Sequence, residues 1–500
     1  MNNMMLSVFS GVVDVTQMLS DYLWTYVVIV LLVFCALYFT LRGRGLQFRL
    51  LRDMWRVVID KPIIAPTLKE EPLADRKGGS VEKKSAAVSA PQDEAIKKIG
   101  SFQAFAVSLS SRVGTGNLAG VASAIFIGGP GAVFWMWLMA MFGAATAFVE
   151  STLAQLYKRR GEESFYGGPA YYMQSGLHCK WMGVLFAVLI TITFGIANQV
   201  VQSNTLCDAL SDASGISIVH VGIALTVATL FIIFGGVRRI SHFASMVVPF
   251  MAMGYILLAV VIIVLNISQF TAVIRLIVSS AFGLEQAVGG AVGAAILQGV
   301  KRGLFSNEAG EGSAPNAAAI ASTSHPVKQG LLQSLGVFVD TLLICSCTAF
   351  IILLSGLYQG GEDGILLTKR ALEMHVGPAG GIFLTIAIFL FAFSTIIANY
   401  FYGETNIRFV TRSKWAILLF RIITGGTVML GALVTLQTAW SFVDLAMGVM
   451  TIVNLIAIIL LSPKAFALLR NYLQQKKRGV EPQFRREMLP EDAADIPCWE

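Results

Sequence analysis

Of the 500 residues, 55% are apolar and only 13% are charged, and the net charge is +7. A soluble chain of this length carries about twice that charged fraction, so the composition excludes an ordinary soluble globular protein. The basic residues are separated by apolar spans rather than clustered, which argues against a nucleic-acid partner. Six cysteines (Cys35, Cys179, Cys207, Cys345, Cys347 and Cys498) form no CxxC pair and read as packing residues, and the five histidines lack metal-ligand spacing.

A membrane-spanning helix needs about 20 mostly apolar residues. On that criterion about eleven spans are expected, near 22–41, 101–125, 131–156, 182–206, 216–234, 243–266, 287–321, 329–357, 381–402, 416–436 and 443–462. The first has no basic n-region or cleavage site before it, so it reads as a retained span rather than a signal peptide. The basic segment 42–100 reads as a flexible loop, with an amphipathic stretch near Phe48–Val58 placed at the membrane surface. Gly128-Gly129-Pro130-Gly131, Gly235-Gly236, Pro326 and Gly377-Pro378 mark span borders.

With these spans, 30 of the 37 Lys and Arg fall in one set of loops, and only Arg275, Lys369 and Arg370 fall in the other. The positive-inside rule then puts the N-terminus outside and the C-terminus in the cytoplasm. The organisation expected is an extracytoplasmic N-terminus (1–21), a peripheral helix (22–41), a basic cytoplasmic loop (42–100), a first five-helix repeat (101–266), an outer connecting segment (267–290), a second five-helix repeat (291–462) and a basic cytoplasmic tail (463–500).

Two spans are not plainly apolar. The first is interrupted by Ser110-Ser111-Arg112-Val113-Gly114-Thr115-Gly116-Asn117, and the second by the polar and glycine-rich stretch from Gly299 to Pro315. Unwound backbone survives at membrane depth only where it lines a buried cavity. Counted from residue 101, the broken helices are first and sixth of ten, the pattern of two five-helix repeats in inverted orientation with a site at their interface. The fold expected is therefore an all-α membrane protein with a 5+5 inverted repeat and one extra N-terminal helix.

A zwitterion would fit such breaks. Its carboxylate suits backbone amides at a half-helix N-terminus, which Gly114, Thr115, Gly116 and Asn117 can supply. Its ammonium suits carbonyls freed near Ser306–Gly312, where Ser306 and Asn307 lie. Ser394 and Thr395 offer adjacent hydroxyls that either ligate a hard cation or bond back to their own helix. Asn198 and Gln202, four apart on one helix face, either line the same site or bond neighbouring helices. Glu150, Asp340 and Asp444 read as relays or, preferably, as ion-pair partners of Arg112, Arg302 or Arg421. No phosphate loop, dinucleotide fingerprint or catalytic motif is present, so neither ATP drive nor an enzyme is expected, and no cofactor is implied.

At these residues the chain resembles the alanine or glycine:cation symporter family of sodium-coupled amino acid carriers. The resemblance covers roughly residues 95 to 465. It is carried by Val113–Ala122, by Gly128-Gly129-Pro130-Gly131-Ala132-Val133-Phe134-Trp135-Met136-Trp137, by Gly167-Gly168-Pro169, by Ser306–Gly310 and Gly312–Pro315, by Phe391–Thr395 and by Met447–Ser462. The resemblance implies a leucine-transporter-type fold and a plasma-membrane carrier, in bacteria one of the inner membrane. It places substrate at Gly114–Asn117 with Gln202 nearby. It also places a sodium ion among Ser110, Val113, Phe391, Ser394 and Thr395, partly through backbone oxygens.

The chain departs from many relatives at Arg112, at Asn198 where an aromatic is common, at Asn399 in Ala398-Asn399 where Gly-Trp is common, and at Glu311. These departures make the pocket more polar or roomier. The substrate expected is a small neutral amino acid: alanine or glycine by default, with serine or glutamine admitted. The coupling ion expected is sodium. The rivals are proton coupling through Glu308 or Asp340, and a sensor or channel that binds without transporting, for which an additional long soluble domain would be expected. No obligate protein partner is evident.

Overall fold

The computed structural model describes residues 14–59, 99–161, 164–283 and 289–499, and helices account for most of that backbone. The helices are α1 (Asp14–Arg42), α2 (Leu51–Val58), α3 (Ser101–Arg112), α4 (Gly116–Gly128), α5 (Gly131–Leu156), α6 (Pro169–Gly176), α7 (Lys180–Ser214), α8 (Ile218–Ile233) and α9 (Gly236–Leu265). They continue with α10 (Ile267–Ala281), α11 (Gly289–Asn307), α12 (Ala314–Ala319), α13 (Pro326–Ser355), α14 (Gly364–Val376), α15 (Pro378–Val410), α16 (Lys414–Gly431) and α17 (Leu436–Lys477). A two-stranded hairpin pairs β1 (Arg159–Arg160) with β2 (Phe165–Tyr166).

Eight of the described helices are long and apolar enough to cross a membrane: α1, α5, α7, α9, α13, α15, α16 and the stretch 437–477 of α17. The other three expected spans map onto α8, which has only 16 residues, and onto the two interrupted helices, whose halves are short or carry charge.

The helices pack as two groups. One gathers around α5, whose small residues let α11, α12, α13 and α1 approach closely. A methyl group added at Gly299 would lie 2.5 Å from the Ala132 carbonyl oxygen, so α11 and α5 touch backbone to backbone. The other group pairs α7 with α15 and α16. Helix α3 lies between them, against α9, α15 and α12.

The ends of the broken helices are tied together. Ile99, before α3, bridges Ala321, after α12, and the Ser322 amide donates to the Ile99 carbonyl at 2.9 Å. The start of one interrupted helix thus meets the end of the other, and at the far end a methyl group added at Gly128 would lie 3.1 Å from the Ala294 carbonyl oxygen, so the pair runs antiparallel.

Several expected boundaries move. Helix α1 already runs at Asp14, the first described residue, inside the segment 1–21 expected to precede it. The expected loop 42–100 contains α2, while 60–98 lie outside the described residues. The connecting segment 267–290 holds the amphipathic helix α10, which buries Val273, Ile277 and Ala281 and exposes Ile267 and Val278. Helix α14 occupies a stretch expected to be loop.

The tail 463–500 is no free tail. Helix α17 runs through Pro463 to Lys477, and the chain then folds back over the basic end of the bundle. The Phe484 amide donates to the Ser324 carbonyl at 2.8 Å, and Trp499 Nε1 donates to the carbonyls of Leu156 at 3.0 Å and Gln155 at 3.2 Å. Lys158 lies under the Trp499 ring at 4.5 Å, and Lys328 pairs with Glu481.

His325, between α12 and α13, sits against the Phe484 ring, and its Nε2 lies 3.2 Å from Asn471 Oδ1. Burial, with the Lys328 charge adding to it, pushes its pKa down from 6.5 to about 4. The undocked state then takes up a proton first as pH falls, so docking is firmest above pH 6.5 and weakens from there toward about pH 4. The protection of residues 478–499 against hydrogen exchange, taken relative to the intrinsic rate at each pH, is expected to fall as pH drops across that window and to fall less in His325→Gln.

Candidate functional site

Helix α3 ends because Val113 leaves the helical region (φ −83°, ψ 83°), and the chain resumes as α4 at Gly116. Two amides freed here find buried side-chain acceptors. Gly114 N donates to Asn117 Oδ1 at 2.9 Å, and Thr115 N donates to Gln202 Oε1 at 3.0 Å. Gln202 is oriented by its own Nε2, which donates to Asn198 Oδ1 at 3.0 Å. Asn198, Gln202 and the first break thus form one chain of hydrogen bonds.

The second break follows Asn307. Glu308 takes a left-handed conformation (φ 57°), as do Gly310 (φ 96°) and Gly312 (φ 86°), before α12 begins. A left-handed glutamate costs about 1–2 kcal/mol, so its side chain must be held. Glu308 accepts from Ser111 Oγ at 2.5 Å and from Ser313 Oγ at 2.6 Å. Ser111 Oγ also lies 3.0 Å from Asn399 Oδ1, a second acceptor for the same hydroxyl hydrogen.

The breaks meet directly. A methyl group added at Gly116 would lie 2.9 Å from the Phe305 ring and 3.5 Å from Ser306 Cα. Asp340, in α13, joins them from the side: it accepts from Asn117 Nδ2 at 2.7 Å on one oxygen, and from Ser306 Oγ at 2.7 Å and Thr341 Oγ1 at 2.8 Å on the other. Asn307 faces away from the first break, donating to Thr341 Oγ1 at 3.2 Å and accepting from Ala309 N at 3.0 Å.

A second constellation lies at the end of α3. Thr395 Oγ1 is 2.7 Å from the Ser110 carbonyl, 3.0 Å from that of Phe391 and 3.4 Å from that of Val113. A hydroxyl has a single hydrogen, so it satisfies at most one of the three well. The Ser110 and Val113 carbonyls belong to the turn that the break leaves without helical partners. Three carbonyls and a hydroxyl in one buried place form an oxygen set suited to a hard monovalent cation. Ser394 stands beside it, with its hydroxyl donating to the Phe391 carbonyl at 2.9 Å. Among the described residues, no three of His, Cys, Asp and Glu gather as a metal cage.

The buried charges divide unequally. Arg302 makes a two-pronged pair with Asp444 at 2.9 and 3.1 Å and lies 3.9 Å over Trp440, and Lys301 bonds Asp21 at 2.7 Å. Arg421 lies 3.8 Å from Glu404, a residue the sequence reading did not single out. Among the described residues no arginine comes within ion-pair distance of Asp340 or Glu150, as the expected ion pairing required. Glu150 instead accepts from Gly310 N at 3.1 Å and from Asn454 Nδ2 at 2.9 Å, pinning the second break. Arg112 donates to the Gln333 carbonyl at 3.2 Å.

Asp340 is the residue whose loss should cost most among these polar links. Asp340→Ala leaves the Asn117 amide and the Ser306 hydroxyl only the weak acceptor Cys345 Sγ, at 3.3 and 3.1 Å, at about 1–3 kcal/mol for each underpaired group. A lowered thermal midpoint and roughly tenfold slower uptake at subsaturating substrate are expected. Asp340→Asn keeps one acceptor and should fall between the two.

Comparison with known proteins bears on this geometry. The model of the sodium:alanine symporter family matches residues 10–71 and 80–486. This chain belongs to that family. It is a multi-pass membrane protein of a transporter family. Within the family it is 48% identical over 481 residues to a Bacillus subtilis protein described as the probable sodium/glutamine symporter GlnT, covering 96% of this chain and 94% of the relative. It is 46% identical to the amino-acid carrier protein AlsT of the same organism, over 97% of both chains. It is 39% identical to a sodium/proton-dependent alanine carrier protein of Bacillus sp. strain PS3, over 77% of this chain and 91% of the relative.

Proposed function

We propose that this chain is a secondary active symporter that imports a small neutral amino acid on the sodium gradient. The observation that carries the reading is the double use of one unwound stretch. Residues 110–113 turn carbonyls toward Thr395, and residues 114–117 lie against Gln202, Asp340 and the second break. Cation and zwitterion are then neighbours on one strand of backbone, and each stabilises the arrangement the other needs.

In this reading Gly114, Thr115, Gly116 and Asn117 receive the carboxylate, Ser306 and Asn307 mark the break that receives the ammonium, and Asn198, Gln202 and Asn399 bound the site. Ser110, Val113, Phe391, Ser394 and Thr395 hold sodium. Eleven spans are proposed, with α1 peripheral. The remainder forms two five-helix units in inverted orientation, one from α3 to α9 and one from α11 to α17. The antiparallel run of the interrupted pair, with Ile99 at Ala321, Gly116 at Phe305 and Gly128 at Ala294, supports this arrangement. Access alternates as the α5 group rocks against the α7–α15 group. The bias of Lys and Arg supports an outer N-terminus and a cytoplasmic C-terminus in a bacterial inner membrane.

Alanine, glycine, serine and glutamine are the candidate substrates; relatives are described as glutamine and as alanine carriers. Proteoliposomes decide the coupling. Labelled alanine or glutamine should accumulate above equilibrium under an inward sodium gradient and leak out when the gradient is collapsed. Accumulation on a pH gradient in sodium-free buffer would transfer the role to Glu308 or Asp340.

A further inference from the structure

At the end of the bundle that carries the Lys- and Arg-rich loops, a cavity of about 1120 Å³ opens between the β1–β2 hairpin with α6, the end of α15 and the start of α16. Arg159, Arg160, Arg408, Arg412, Lys414 and Arg421 line it. No acidic residue lines it among the described residues, which leave out Glu162 and Glu163. Glu404 sits beneath the cavity and bonds Arg408 at 2.5 Å, leaving one carboxylate to serve both that guanidinium and Arg421. Loop charge that only orients a membrane protein has no need to converge. Here basic side chains from two distant stretches, 159–160 and 408–421, face one hollow.

Two further features define what would fill it. The amino-terminal turn of α16, an 18-residue helix, borders the cavity, and its N-cap Ser413 makes no side-chain cap, so the helix dipole and free amides favour an anion. Guanidinium groups pair with phosphate oxygens two at a time. Val410 on the rim is 51% exposed, and on α16 Trp415, Leu419 and Ile422 are 78%, 58% and 59% exposed, so exposed apolar side chains lie on the same helix as the basic lining. An anionic head on apolar tails matches both halves. We infer that this cavity binds the phosphate of an anionic phospholipid headgroup, with the acyl chains lying along the outer face of α16. The inference does not depend on which amino acid is carried.

The test uses full-length protein exchanged into zwitterionic detergent, titrated with phosphatidylglycerol, phosphatidylcholine or inorganic phosphate, and read by thermal midpoint and by native mass spectrometry. Phosphatidylglycerol should raise the midpoint and stay bound, and phosphatidylcholine should do neither. The triple variant Arg159→Gln, Arg412→Gln, Lys414→Gln should bind phosphatidylglycerol roughly a hundredfold more weakly, at about a factor of five per basic residue lost. Lysine at positions 159 and 412 preserves charge and should restore most of the effect, which separates loss of binding from loss of fold. Equal retention of phosphatidylglycerol by wild type and triple variant would overturn the inference. So would a full shift from inorganic phosphate alone, which would make the ligand a soluble anion.

Discussion

Replacing Gly116 with leucine is expected to abolish amino acid uptake while leaving the protein in the membrane at normal abundance. A β-carbon there already lies 2.9 Å from the Phe305 ring, at the point where the first break touches the second. A branched side chain cannot fit without driving the two apart. Overpacking of this kind costs about 1–3 kcal/mol, too little to unfold a multi-helix bundle but enough to displace the backbone that would face a substrate. Surface expression and proteolytic pattern serve as controls for insertion. Gly116→Ala should retain part of the activity, because Phe305 can give by a few tenths of an ångström. Full uptake by the leucine variant would show that this contact lies outside the transport site.

The second large effect is expected at Thr395. Thr395→Ala removes the hydroxyl that faces the Ser110, Phe391 and Val113 carbonyls and leaves the carbonyls in place. One of the five proposed oxygens, the Ser394 hydroxyl included, is lost. The sodium concentration for half-maximal uptake should rise about tenfold, the equivalent of about 1.4 kcal/mol, whereas the ranking of competing amino acids should hardly change. Thr395→Ser keeps the oxygen and should restore the sodium response. A variant with altered amino acid ranking and intact sodium response would place Thr395 against the substrate instead.

Much of the helical layout is legible in the residues, and the reason is lipid. A span must be apolar all round and about 20 residues long, and that requirement writes itself into composition. The interruptions are legible for the converse reason: Gly114 and Gly116, or Glu308 within Ser306–Gly312, are costly at membrane depth unless backbone must unwind there. Short helices such as α10 and α14 escaped notice. Their apolar faces are half-width and flank Gly-rich stretches, so they look like connecting loop. The docked tail also escaped notice. Phe484, Ile496 and Trp499 are too sparse among charged neighbours to signal burial, yet each fills a gap at the end of the bundle.

Partnerships across the site were the least legible. Asp340 drew attention as a charge within a span, and an arginine partner was the natural reading. Its donors, Asn117 and Ser306, lie 223 and 34 residues away, and no local pattern announces three neutral donors in place of a cation. The same holds for the Ser111–Glu308 contact across 197 residues. The Ser110–Thr395 contact was anticipated only through family resemblance, since two adjacent hydroxyls in a helix more often bond back to their own carbonyls.

The claim that one loosened stretch serves both cargo molecules is tested most directly by equilibrium binding to the purified protein. Sodium should tighten amino acid binding, and the amino acid should tighten sodium binding by the same factor, as linkage between adjoining sites demands. Thr395→Ala should weaken both effects together. Amino acid affinity that is indifferent to sodium, in a protein that still binds each of them, would contradict the account.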